Sequence, residues 1–116
     1  MPIFFWKKNR LIDEFAQHLA DELYSNIQPA VAATFFDDQA ALIDNKTRKK
    51  DQQLHQKVIR SLNSVILQIQ HFRELHSLGI YGKARLHMTF TERLKELGYS
   101  ANITEQINKV ILLQTP

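Results

Sequence analysis

Three groupings of side chains in this sequence have spacings that could support chemistry. Glu14, His18 and Glu22 stand at i, i+4 and i+8. A helix would bring them to one face, as the donors of a carboxylate–imidazole metal site or an acid–base pair. His71, Glu74 and His76 form a second grouping, but steps of three and two do not converge on one ion. The third is the basic run of Lys46, Arg48, Lys49 and Lys50, with Lys57 and Arg60 one helix face further along. Such a run suits phosphates or an acidic partner.

A solvated face of mixed polar residues accounts for the Glu14–His18–Glu22 spacing as readily as a metal does, so no metal and no cofactor is assigned. Arg48 and His55, with six residues between them, show a spacing that resembles the Arg-to-His motif of helical HEPN-type ribonucleases, where the pair acts on a phosphodiester. Two common residue types in the most polar stretch carry that resemblance, and no family is assigned on it. Cysteine is absent, which removes thiolate zinc sites, thiol nucleophiles and disulfides. There is no Gly-rich phosphate loop, no Gly-x-Ser-x-Gly and no His-Glu-x-x-His. The expectation is a protein that is not an enzyme, with no catalytic residues.

Charge is laid out in blocks. Residues 1–10 carry Lys7, Lys8 and Arg10, and from 11 to 45 there is no Lys or Arg against seven Asp and Glu. Residues 46–60 then carry six basic residues against Asp51 alone. The basic stretch is either a phosphate- or partner-binding surface or a face solvated and paired with the acidic block before it. It lacks the interleaved aromatics that single-strand stacking uses. At the N-terminus, Phe4, Phe5, Trp6, Lys7 and Lys8 have the order of an interfacial membrane anchor or a docking arm. The four apolar residues Ile3 to Trp6 bury too little for stable membrane binding alone, so tucking into the bundle is the expectation. Their order, apolar before basic, is the reverse of a secretory signal.

The elements that must position these groups read as helices. Leu11, Phe15, Leu19, Leu23 and Ile27 recur every four residues, which predicts a helix from about Asn9 to Ile27. Residues 29–45 read as helical with an interruption, Asp38 capping a shorter piece over 39–44. An apolar stripe from Leu54 through Val58, Leu62, Val65, Ile69 and Phe72 to Leu75 predicts one long helix over about 46–78, ended by Gly79. Leu86, Phe90, Leu94 and Leu97 mark a helix over about 83–97, capped by Gly98. Asn102 with Glu105 in the capping-box position opens a last helix facing Ile103, Ile107, Val110 and Ile111 inward. The last two helices have a helix-turn-helix outline. Thr104, Gln106, Asn108 and Lys109 supply no arginine for guanine, and plain packing accounts for the pair.

The fold class expected is therefore all-α: a single-domain bundle over 1–116 of four or five helices around one long central helix, with residues 1–8 as an N-terminal apolar and basic arm. The function expected is that of a small non-catalytic, cytoplasmic binding or regulatory protein docking a protein partner on an exposed helix face. A second copy of the chain is one such partner, since Leu67 lies off the main apolar stripe. The alternatives are a nucleic-acid-associated protein using Lys46, Arg48, Lys49, Lys50, Lys57 and Arg60, and peripheral membrane attachment through the arm.

Overall fold

A computed structural model describes the backbone of residues 3–37 and 49–115, and the side chains of 7–36 and 53–115. The expected fold class is borne out: five helices, with no strand among the described residues, pack around one core. They are α1 (Ile3–Asn26), α2 (Pro29–Asp37), α3 (Lys49–His76), α4 (Ile80–Glu96) and α5 (Ala101–Gln114). The molecule measures 57 × 25 × 19 Å, and α3 alone, at 28 residues, spans ~42 Å of that length.

The closest pair is α1 with α4. Ala16 and Ala20 are fully buried on α1, and Gly82 is buried on α4. A Cβ on Gly82 would stand 3.5 Å from Ile12 Cδ1 and 3.2 Å from Leu78 Cδ2, so small residues set how near the two helices come. They run parallel, as the pairs Asp13–Arg85, Asp21–Arg93 and Ile27–Tyr99 show. A parallel neighbour requires the chain to return along the bundle between them, and α3 makes that return. It runs antiparallel to α1, with the Phe15 and Phe72 rings stacked at 3.9 Å and Gln68 donating to Glu22. On its other side α3 packs against α5, and α2 lies against both.

The inward residues of α3 are Val58, Leu62, Val65, Ile66, Ile69 and Phe72, all buried. They fill a broad stripe, as a helix packed on two sides needs. Leu75, expected on that stripe, falls past its edge and is exposed.

Helix ends differ from the sequence expectation at several points. The first helix begins at Ile3, six residues before Asn9, so the backbone of residues 3–8 continues α1. The left-handed residue that ends α3 is Ser77, with φ 50°, while Gly79 is the residue before α4. Leu78 N donates to Arg73 O and Ser77 N to Glu74 O, the paired bonds of a Schellman motif. Ile80, Tyr81 and Gly82 form the first turn of α4, which begins three residues before the expected start near 83. The last helix is capped by Ser100, whose Oγ accepts from Ile103 N at 3.1 Å, and Asn102 sits exposed within its first turn. The expected break after residue 37 and the piece over 39–44 lie outside the described residues.

Candidate functional site

The two aspartates of α1, Asp13 and Asp21, are held by α4. Arg85 donates from Nε to Asp13 Oδ1 at 2.9 Å and from Nη2 to Asp13 Oδ2 at 2.8 Å, and Thr89 adds a third bond at 3.2 Å. Arg93 Nε donates to Asp21 Oδ1 at 2.8 Å and its Nη1 to Glu96 at 3.0 Å. Bonding to Asp13 and then to Tyr81 raises the Arg85 pKa, and bonding to Asp21 and then to Glu96 raises that of Arg93. Glu14 takes Arg10, and Glu22 takes Gln68. Both carboxylates of the Glu14–His18–Glu22 grouping thus have partners. Among the described residues no group of three His, Asp or Glu side chains is placed to hold a metal ion.

Among the described residues, no α1 carboxylate pairs with the basic stretch. Lys57 and Arg60 are exposed on α3, and among the described residues neither makes an ion pair. Lys49 and Lys50 begin α3 and their side chains are outside the described ones; Lys46 and Arg48 lie outside the described residues altogether. His55 is half-buried with its ring 4.7 Å from Phe35 of α2. His76 packs on Phe72 at 4.5 Å, while His71 and Glu74 point outward and are exposed.

Among the described residues, the outer face of α3 is an extended exposed surface. Gln56, Lys57, Arg60, Asn63, Ser64, Leu67, His71 and Glu74 are all exposed along it. Leu67 shows 64% of its surface at the middle. No Asp or Glu occurs from Gln52 to Arg73, so the N-terminal two-thirds of this face is basic and the first acidic residue is Glu74. Leu67 was singled out by its position off the stripe. Glu74 and Asn63 were not read as part of this face, although heptad spacing from Arg60 reaches Leu67 and Glu74 in turn.

Of the N-terminal group, Phe4, Phe5 and Trp6 fall in the first turns of α1 with side chains outside the described ones. Lys7 and Lys8 are exposed, and Lys8 borders a cleft of about 190 Å³ with Asn9, Ile12, Gly79, Tyr81 and Gly82. A larger cleft, about 480 Å³, lies where α3 and α5 end, between Gln70, Arg73, Glu74, Leu78, Gln114 and Thr115. Two of its polar side chains are already used on backbone. Gln70 donates to Gln114 O at 3.0 Å and Arg73 Nη1 to Thr115 O at 3.1 Å, closing carbonyls at the end of α5.

One buried polar group went unread in the sequence. His87 on α4 is 7% exposed, and neither ring nitrogen has a hydrogen-bond partner. Burial lowers its pKa below 6.5; the nearby Asn108 amide opposes that without making a bond of normal geometry, and Lys83 and Arg73 add to the lowering. Sealed in this way, His87 is closed to a substrate. Compared with protein-family models, curated proteins and solved structures, the chain matches none. Among the described residues no helix is long and apolar enough to cross a membrane.

Proposed function

We propose that this chain is a small non-catalytic binding or regulatory protein that docks a protein partner on the outer face of α3, and that it works in the cytoplasm. The observation that carries the reading is the division of charge. The acidic residues Asp13 and Asp21 are held by Arg85 and Arg93, while Lys57 and Arg60 stand exposed beside an exposed Leu67. Exposed cations around an apolar anchor suit helix-face recognition, in which a few side chains supply affinity and the rim supplies orientation.

Site-specific photo-crosslinking in the living cell tests this. A photoreactive residue at Leu67 should give a discrete crosslinked species, and the same residue at Glu105, which is exposed on α5, should not. Identical product patterns from the two positions would end the reading.

The run without a carboxylate from Gln52 to Arg73 supports a second reading, a phosphate-backbone surface on the same face. It predicts binding to duplex or single strands at low salt that weakens steeply as salt rises, and more shallowly when Lys49 and Lys50 become Gln. No binding at low salt excludes it.

A further inference from the structure

We propose that the partner for the outer face of α3 is a second copy of this chain, the two α3 helices crossing antiparallel with a two-fold axis at Leu67. This rests on the reading of that face as a docking surface and names its occupant. The evidence is a pattern of charge. Arg60 stands seven residues before Leu67 and Glu74 seven residues after it, and all three are exposed. Positions seven apart drift by only ~20° around a straight helix, so Arg60, Leu67 and Glu74 lie nearly in line along one face.

An isologous interface must complement itself. A two-fold axis at Leu67 sets each residue against the one equally far on the other side. The Leu67 side chains then meet at the axis, Arg60 of each copy faces Glu74 of the other, and Asn63 faces His71. Ile59 and Leu75, eight residues to either side and both exposed, also fall opposite one another. A parallel arrangement would instead set Arg60 against Arg60 and Glu74 against Glu74, so charge selects the antiparallel one. Neither Arg60 nor Glu74 makes an ion pair among the described residues. One helix face offers less than the ~1,200–2,000 Å² of a standard interface, so the dimer expected is a weak, concentration-dependent one.

Sedimentation equilibrium on the full chain, from micromolar to several hundred micromolar, tests the proposal, with circular dichroism to show that each variant keeps its helices. Wild type should show a concentration-dependent monomer–dimer equilibrium. Arg60→Glu and Glu74→Arg should each weaken it about tenfold or more by setting like charges opposite. The double exchange R60E/E74R should return it to within about threefold of wild type, because the pairs are restored with signs reversed. Leu67→Lys should abolish it. A wild type that stays monomeric throughout, or a double exchange no better than the single variants, overturns the dimer. A discrete crosslink from Leu67 to another protein, in a chain that sediments as a monomer, overturns the dimer and keeps the α3 docking face. Loss of both removes the two readings together.

Discussion

Asp13 and Arg85 are 72 residues apart and form a two-pronged ion pair between α1 and α4, and the same separation recurs at Asp21–Arg93 and at Ile27–Tyr99. A constant offset means that the two helices run parallel in fixed register. The charged rungs lie beside an apolar seam of Ile12, Ala16, Leu19, Ala20 and Leu23 against Leu86, Phe90 and Leu94. The seam supplies attraction without direction, and the rungs select which turn of α4 meets which turn of α1.

The Asp13–Arg85 rung should therefore outweigh the exposed pairs. Both side chains are less than a third exposed, 29% and 28%, and the contact is bidentate, the geometry in which Arg–carboxylate pairs are strongest. In a double-mutant cycle with alanine at both positions, chemical denaturation should give a coupling of about 1 kcal/mol. The Arg10–Glu14 pair, 83% and 62% exposed, should show little coupling. Arg85→Lys keeps the charge but loses the fork, and most of the coupling should go with it.

His87 makes stability depend on pH in one direction. In the unfolded chain an imidazole titrates near 6.5, and in the fold burial holds the His87 pKa below that; the Asn108 amide of α5 opposes the shift, and Lys83 of α4 and Arg73 of α3 add to it. As pH falls through 6.5 the unfolded chain takes the proton first, so its contribution to stability is full above 6.5 and declines until the folded pKa is passed. Thermal unfolding should show a midpoint that drops between pH 7.5 and pH 5. His87→Met, which fills similar volume without a titrating group, should show a smaller drop over the same range; an unchanged drop would assign the effect to other groups.

The cap of α5 separates two candidates that look alike in the sequence. Ser100 Oγ accepts from Ile103 N, so Ser100→Ala should cost about 1 kcal/mol in equilibrium unfolding. Asn102 is exposed inside the first turn, and Asn102→Ala should be neutral or slightly stabilising through its higher helix propensity. The reverse order would mean that the helix starts two residues later in solution.

Much of the fold was legible because burial repeats at helical spacing. Leu86, Phe90 and Leu94 on α4 and Ile103, Ile107 and Ile111 on α5 are all buried, as steps of four imply. The start of α1 was misplaced because Asn9 has the chemistry of a cap, whereas Ile3–Lys8 carry no local signal against helix. The sequence left two readings of the basic stretch open, a partner surface or a face solvated and paired with the acidic block. The described cationic partners of the α1 carboxylates are Arg10, Arg85 and Arg93, and the last two could not be foreseen because register between α1 and α4 is a tertiary property that no local pattern encodes. Two of the six residues of the basic site, Lys57 and Arg60, are seen exposed; the side chains of Lys49 and Lys50, and Lys46 and Arg48 altogether, lie outside the described residues. The apolar and charged symmetry about Leu67 was present in the sequence but needed the structure to show that the face is uncovered.

The two left-handed turns should respond to mutation with opposite signs. Gly98 ends α4 at φ +108°, where its N–H bonds Lys95 O and the following Tyr99 N–H bonds Leu94 O. Pro29 Cγ, the nearest atom to an added Cβ, would be 3.7 Å away, so space is not the obstacle and the backbone angle is. Gly98→Ala should cost about 1 kcal/mol in denaturant unfolding. Ser77 makes the equivalent turn after α3 at φ 50° with a side chain that disfavours that angle. Ser77→Gly should relieve it, leaving stability unchanged or raised by up to about 1 kcal/mol, because relief in the fold is partly offset by the greater freedom of glycine in the unfolded chain. Loss of stability in both variants would mean that the Ser77 side chain holds the turn through a contact of its own.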